Sequence, residues 1–285
     1  MTDAAPDRPH RLIHFTPLRY PGGKGKLAQY VKRLIAENGL LDGLYVEPYA
    51  GGAAIALELL FHEYVSRIHI NDVSRPVYAF WHSVLTMPDQ LVQLVVDTPL
   101  TVDEWDRQKN IFRNQGQHDN LAIGFATFFL NRTNRSGILN AGIIGGRAQV
   151  GKWKIDARYN RTELAQRITA ISRQSDRITL TNKDAAELLI DGAKIWPENT
   201  LIYLDPPYFE KGRDLYYDFY LPEDHAHVAA VMQKISRQKW IVSYDDVPQI
   251  RRLYEAYRSV CYQIGSSGRS IKKGTWVMFF DDRLT

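Results

Sequence analysis

Asp205-Pro206-Pro207-Tyr208 follows directly on the apolar run Thr-Leu-Ile-Tyr-Leu at 200–204. That run should be a buried strand, and open α/β sheets hold their ligands at the carboxyl ends of such strands. A carboxylate placed there accepts hydrogen bonds from an amino group, two prolines stiffen the backbone behind it, and the ring offers a flat face. These are the parts needed to grip a planar, amino-bearing ring. A proline-rich turn closing a core strand has the same composition, so the tetrapeptide does not decide between the two by itself.

Three more stretches carry residue types suited to binding. Glu47-Pro48-Tyr49-Ala50-Gly51-Gly52 stands between an expected strand at 44–48 and a helix at 53–60, where two glycines let a ligand or another backbone come close and the helix N-terminus offers N–H groups. It is not the GxGxxG of dinucleotide sites. Asp72 closes the next strand, 67–70, a position from which carboxylates grip ribose hydroxyls in such sheets. Upstream, Tyr20-Pro21-Gly22-Gly23-Lys24 combines an aromatic ring, a tight turn and a cation. Singly, a packed glycine pair, a capping Asp and a surface turn explain them equally well.

The elements that would position these residues alternate. The spacing predicts a helix over 24–37, the strand 44–48, the helix 53–60, the strand 67–70 and a helix over 75–85. Between about 86 and 174 the alternation lapses: 121–130 reads as a buried helix, and 131–160, rich in Gly, Asn and Arg, reads as loops and a hairpin. It resumes with strand 177–180, helix 184–189, strand 201–204, helix 222–235 and strands 240–244, 260–264 and 275–280. Seven strands interrupted by one insertion suggest a parallel sheet covered on both faces.

At 285 residues and 45% apolar composition the chain can bury a full core, and its single cysteine, Cys261, excludes a disulfide framework within it. No stretch approaches the length needed to span a bilayer and Met1 to His10 carries no apolar signal core, so a cytoplasmic protein with no membrane partner is expected. The net charge of +4 is unevenly spread. Between Trp105 and Gln174 twelve Lys and Arg face four acids, a net +8 that leaves −4 for the remainder. One region is thus suited to phosphates while the rest has other work.

Taken in order, Arg-Tyr-Pro-Gly-Gly-Lys at 19–24, Glu-Pro-Tyr-Ala-Gly-Gly at 47–52, Asn-Asp at 71–72 and Asp-Pro-Pro-Tyr at 205–208 resemble the Dam-like class of DNA adenine N6-methyltransferases over nearly the whole chain. The likeness extends into the insertion, through Phe128-Phe-Leu-Asn-Arg132 and the Gly-rich run after it. The resemblance implies a Rossmann-like seven-stranded α/β catalytic domain from 1–85 and 175–285. A mainly helical target-recognition insertion with a β-hairpin, 86–174, would interrupt it.

The implied cofactor is S-adenosylmethionine. Tyr20, Lys24, Glu47, Pro48, Tyr49, Ala50, Gly51 and Gly52 would hold it, Asp72 its ribose and Asp184 its adenine end, with Asp205 between cofactor and substrate. Pro206, Pro207 and Tyr208 would complete the catalytic slot. The carboxylate and the Pro206 carbonyl would face the amino group, and Tyr208 would stack on a flipped base. The implied partner is double-stranded DNA, and a restriction endonuclease acting on the same site is the one protein partner this reading admits.

Arg132, Asn134, Arg135, Asn140, Arg147 and Gln149 are the candidate base readers, because Arg suits guanine and Asn or Gln suits adenine. Lys152 and Lys154 add phosphate contacts. The run 132–146 departs from that of the GATC-reading members, so their target does not carry over. His225 and His227, two apart on one helix, face different ways and lack a third ligand, so no metal is expected. Trp240, Trp276, Phe279 and Phe280 read as core, and Tyr216, Tyr217 and Phe219 as either pocket lining or surface packing. Methylation of cytosine N4 or of RNA, and a non-catalytic DNA-binding regulator, remain as alternative readings.

Overall fold

The structure is a computed structural model that describes residues 15–19, 27–209, 220–263 and 275–285. Tyr20 and Lys24 lie outside the described residues, as do Tyr216, Tyr217 and Phe219.

The seven strands are β1 (Gly43–Glu47), β2 (Val65–Asn71), β3 (Ile178–Thr181), β4 (Thr200–Leu204), β5 (Lys239–Asp245), β6 (Ser259–Gln263) and β7 (Thr275–Phe280). They form one sheet in the order β3-β2-β1-β4-β5-β7-β6. The sheet is mixed. β1 to β5 run parallel, and β7 inserts antiparallel between β5 and β6. The order turns back between β1 and β4, and such sheets bind ligands at the carboxyl ends of the strands at this switch point.

Period-two alternation gives each central strand two apolar faces, as a doubly covered sheet requires. Tyr45, Tyr203, Ile241 and Phe280 face one cluster, built with α1 (Ala28–Glu37), α2 (Ala54–Phe61) and α3 (Arg75–Thr86). Val46, Ile202, Val242 and Phe279 face the other, built with α8 (Ala185–Ile195), α9 (Pro222–Met232) and α10 (Pro248–Leu253). Trp240, Phe279 and Phe280 are buried as expected. Trp276 is only half-buried, because it sits at the site end of β7 rather than in the core.

The interrupting segment contains α4 (Pro88–Asp97), α5 (Val102–Arg113), α6 (Asn120–Thr133) and α7 (Arg161–Ser172). The side chains of Thr101, Asp119 and Asn160 cap α5, α6 and α7 by accepting from Glu104, Ala122 and Glu163 N–H, interactions worth about 1 kcal/mol each. α6 is buried along most of its length and lies against α3. Gly124 permits that approach, since a Cβ there would stand 2.6 Å from the Ala79 carbonyl oxygen. Phe80 of α3 stacks on Phe128 at 5.8 Å, and Tyr159 meets Phe128 edge-on at 5.5 Å. These helices share the apolar cluster of the first sheet face.

α6 runs three residues beyond the expected helix end, so Asn131, Arg132 and Thr133 are helical rather than loop. The expected hairpin is a tight return closed by a single antiparallel bridge, Asn134 to Ile143.

Candidate active site

Acidic residues mark the carboxyl ends of neighbouring strands: Asp72 after β2, Glu47 closing β1, Asp205 after β4 and Asp245 closing β5. Of the expected site residues described, Glu47 to Gly52, Asp72, Asp184 and the 205–208 tetrapeptide all fall on this edge, within loops that follow β1 to β4.

The loop after β1 is held from three sides. Asp72 accepts from Gly51 N at 2.8 Å through one oxygen and from Ser74 N at 3.0 Å through the other. The Trp81 indole donates to the Gly51 carbonyl at 2.9 Å. Asn71, absent from the expected set, is the knot: its carbonyl accepts from Ala50 N, its side-chain amide donates to Pro48 O and Lys183 O, and its Oδ1 accepts from Thr181 and Lys183. Gly51 and Ala53 both adopt left-handed backbone, φ 47° in each. For Ala53 this costs on the order of 1 kcal/mol, compensated by the surrounding bonds.

Glu47 has a role that its motif did not suggest. Ala53 precedes α2 and has no side chain with which to cap it, and Glu47 reaches back from β1 to accept from Ala56 N at 3.1 Å. The carboxyl is buried, and burial pushes its pKa up to about 8, with the nearby Asp205 adding in the same direction. It is therefore largely protonated at neutral pH.

Asp184 caps α8, accepting from Ala186 N at 2.8 Å. Tyr49 and Tyr220 pair their hydroxyls at 2.9 Å with rings 5.8 Å apart, and the Tyr220 hydroxyl feels the charges of both Asp184 and Asp72. Tyr220 thus packs against the loop that follows β1, although it belongs to no motif.

At the tetrapeptide, Ser243 donates to Asp205 Oδ1 at 2.8 Å, and Asp245 accepts from Phe209 N at 2.9 Å. The Tyr208 ring meets Trp276 at 4.6 Å, edge to face. His225 is buried against Phe209, Tyr220 and Tyr244, with Nδ1 3.0 Å from the Tyr244 hydroxyl. His227 is exposed, so the two histidines do face different ways. No cluster of three metal-ligating residues occurs among the described residues.

The insertion corrects two expected base readers. Arg132 is buried and donates through Nε to the Pro17 carbonyl at 2.7 Å, and through its second nitrogen to the same oxygen. Asn134 is fully buried, accepting from the Trp105 indole at 2.7 Å and donating to Ile138 O and Leu139 O. Both residue types suit bases, but here their groups are spent inside the protein. Arg135, Asn140, Arg147, Lys152 and Lys154 are exposed, with Arg147 in a bidentate pair with Asp106 at 2.7 Å. Gln149 is half-buried and organises its own loop. Trp153, 63% exposed between Lys152 and Lys154, was not singled out from sequence.

A sheet in this order, with a pinned glycine loop at the switch point and a strand-end acid followed by two prolines, defines a Rossmann-like α/β domain with its site at the strand ends. Residues 20–265 match the D12 class N6 adenine-specific DNA methyltransferase family, and the chain belongs to that family. It is accordingly an adenine-specific DNA methyltransferase, and its cofactor is S-adenosylmethionine.

Among solved structures it is similar to the rRNA methyltransferase aviRa from Streptomyces viridochromogenes, at 13% identity and TM-score 0.41, covering 92% of this chain and 85% of that one. It is also similar to M. capricolum TrmK in complex with S-adenosylhomocysteine, at 6% identity and TM-score 0.38, covering 88% and 69%. No curated protein sequence matches the chain. Among the described residues, no helix is long and apolar enough to cross a membrane.

The donor set fits the cofactor. Asp72 and Asp205 flank the pinned glycine loop with carboxyl groups, a residue type that accepts from the hydroxyl and ammonium groups such a cofactor carries. The Tyr49–Tyr220 pair adds an aromatic surface beside the loop that follows β1.

Proposed function

We propose that this enzyme methylates the N6 amino group of an adenine extruded from double-stranded DNA, at a short sequence addressed by segment 86–174. The single observation that carries the reading is the position of Asp205. It follows β4 beside the glycine loop of β1, with one carboxylate oxygen tied to Ser243 and two prolines behind it.

Bound at the β1 loop and Asp72, S-adenosylmethionine supplies an activated methyl group on a sulfonium. The chain's own task is alignment. An adenine amino nitrogen is a weak nucleophile because its lone pair is shared with the ring. The Asp205 carboxylate and the Pro206 carbonyl each accept one of its N–H bonds, favouring a tetrahedral nitrogen with its lone pair directed at the methyl. Tyr208 stacks on the base, and Trp276 holds that ring from its edge.

A base inside a duplex cannot reach a slot at the strand ends, so it must leave the helix. The distorted duplex is held by the exposed cations of the insertion, with Arg135, Asn140, Arg147 and the half-buried Gln149 the remaining candidates for base contacts. Trp153 joins Lys152 and Lys154 as a further DNA contact, suited to wedging between bases. A restriction endonuclease reading the same sequence would be the natural partner in a cell that carries one.

The test is nucleoside analysis and methylation-sensitive sequencing of DNA from cells expressing the chain. N6-methyladenine at one recurring motif is expected, and Asp205→Ala should abolish it. Methylated cytosine, or undiminished methylation by the variant, would overturn the reading.

A further inference from the structure

Asp205 stands in an unusual local context. A strand-end aspartate usually steadies its carboxylate on the backbone N–H one or two residues on, in an Asx turn. Here both of those positions are proline, and neither has an N–H. The terminal torsion of an aspartate is broad and roughly two-fold, so these two positions do not set the carboxylate plane.

The neighbouring strand supplies the restraint. Leu204 pairs with Val242, which brings Asp205 and Ser243 side by side at the next step. The Ser243 hydroxyl donates to Asp205 Oδ1 at 2.8 Å. Tyr203, on the same face of β4, has its own hydroxyl 2.9 Å from Ser243 Oγ. A serine has one proton, and with that proton on Asp205 the Tyr203 proton must point at Ser243. The chain is therefore directional, from Tyr203 through Ser243 to Asp205, and both donors are buried. Beyond the tetrapeptide, Asp245 of the same strand holds Phe209 N at 2.9 Å. Trp276, paired with Asp245 across β5 and β7, abuts the Tyr208 ring. β5 and β7 thus bracket 205–208 at both ends.

The geometry points to Ser243 as the residue that sets the plane of the Asp205 carboxylate for methyl transfer, with Tyr203 fixing the Ser243 hydroxyl in turn. Ser243 is a positioning residue, acting only through Asp205, and the inference rests on Asp205 receiving the amino group. With one oxygen tied to β5, rotation of the carboxylate is restricted.

The experiment compares wild type, Ser243→Ala, Tyr203→Phe and Asp205→Ala as full-length enzymes. Single-turnover methyl transfer to unmethylated bacterial DNA is measured beside calorimetric affinity for S-adenosylhomocysteine and thermal stability. Ser243→Ala should lower the single-turnover rate constant roughly 10- to 100-fold while leaving S-adenosylhomocysteine affinity unchanged, since misplacing a reacting group costs rate rather than binding. Tyr203→Phe should show a smaller loss in the same constant, and it carries the test if Ser243→Ala fails to fold. A wild-type rate constant in the folded variants, or a loss that tracks S-adenosylhomocysteine affinity, overturns the inference. Undiminished transfer by Asp205→Ala would instead bring down the underlying site reading. Loss in Asp205→Ala with none in Ser243→Ala would bring down the positioning role alone.

Discussion

Asn131 grips the backbone of Arg19 from both sides: its Oδ1 accepts from Arg19 N at 2.7 Å and its Nδ2 donates to Arg19 O at 2.8 Å. The same amide nitrogen donates to Gly137 O at 2.9 Å. Arg132 bonds Pro17 O, and Arg167 bonds Thr16 O at 2.8 Å. Gly137, with φ 76°, lets the strap pass, since a Cβ there would stand 2.3 Å from Arg19 O. The insertion therefore anchors the segment that leads directly into Tyr20 and Lys24.

Asn131→Ala should weaken cofactor binding from a distance. It leaves buried amide groups without partners, at on the order of 1–3 kcal/mol each. Calorimetric titration with S-adenosylhomocysteine should show lower affinity along with a lower Tm. Unchanged affinity would show that the strap has no part in cofactor binding.

Arg132→Met should cost on the order of 1–3 kcal/mol of stability by leaving Pro17 O unsatisfied. Its methylated sequence motif, read by sequencing modified DNA, should not change. A shift in motif would restore Arg132 as a base reader.

Glu47 predicts a pH dependence of unusual sign for a carboxyl. Its folded pKa of about 8 lies above the ordinary 4.5, so the folded state holds the proton more tightly than the unfolded state. This contribution to stability is complete below pH 4.5 and is lost as pH rises toward 8, at up to about 1.4 kcal/mol per unit. Glu47→Gln keeps an acceptor for Ala56 N and cannot titrate. In urea unfolding of the cofactor-free protein, its stability relative to wild type should improve between pH 5.5 and 8. A constant difference across that range would refute the assignment.

Lys152 and Lys154 should contribute to DNA binding through phosphates, and Trp153 through bases. Replacing both lysines with alanine should make the slope of log affinity against log salt shallower by about 1.8, at roughly 0.9 per phosphate contact. Trp153→Ala should weaken binding by about 1–3 kcal/mol with little change of slope. Equal salt slopes for wild type and the double lysine variant would remove these residues from the phosphate contacts.

The strands and their acid-bearing ends were legible because short apolar runs stopping at Asp72, Glu47 and Asp205 are local signals. The antiparallel insertion of β7 was not, because strand order depends on contacts that no single segment encodes. The insertion was expected to be mainly helical, but α4, α5 and α7 were not placed individually, because polar and apolar residues mix on their partly exposed surfaces. Arg132 and Asn134 were assigned to DNA because side-chain type is visible in a sequence and burial is not. Ser243 gave no signal, being one small residue in a strand, and its partner Asp205 lies 38 positions away. Trp153 could have been found, as an aromatic set between two lysines in a glycine-rich run.

The loop from Ile143 to Ile155 closes upon itself through Gln149. Its amide donates to Ile144 O and Gly146 O, and its carbonyl accepts from Ile155 N. Val150, Lys152, Trp153 and Lys154 project from this closure without contributing to it. Over generations, such a loop is a separable unit of variation. Under the proposed reading of these side chains as DNA contacts, they can be exchanged one at a time while the hydrogen bonds that shape the loop persist, so a lineage could move to a new DNA address without putting its chemistry at risk.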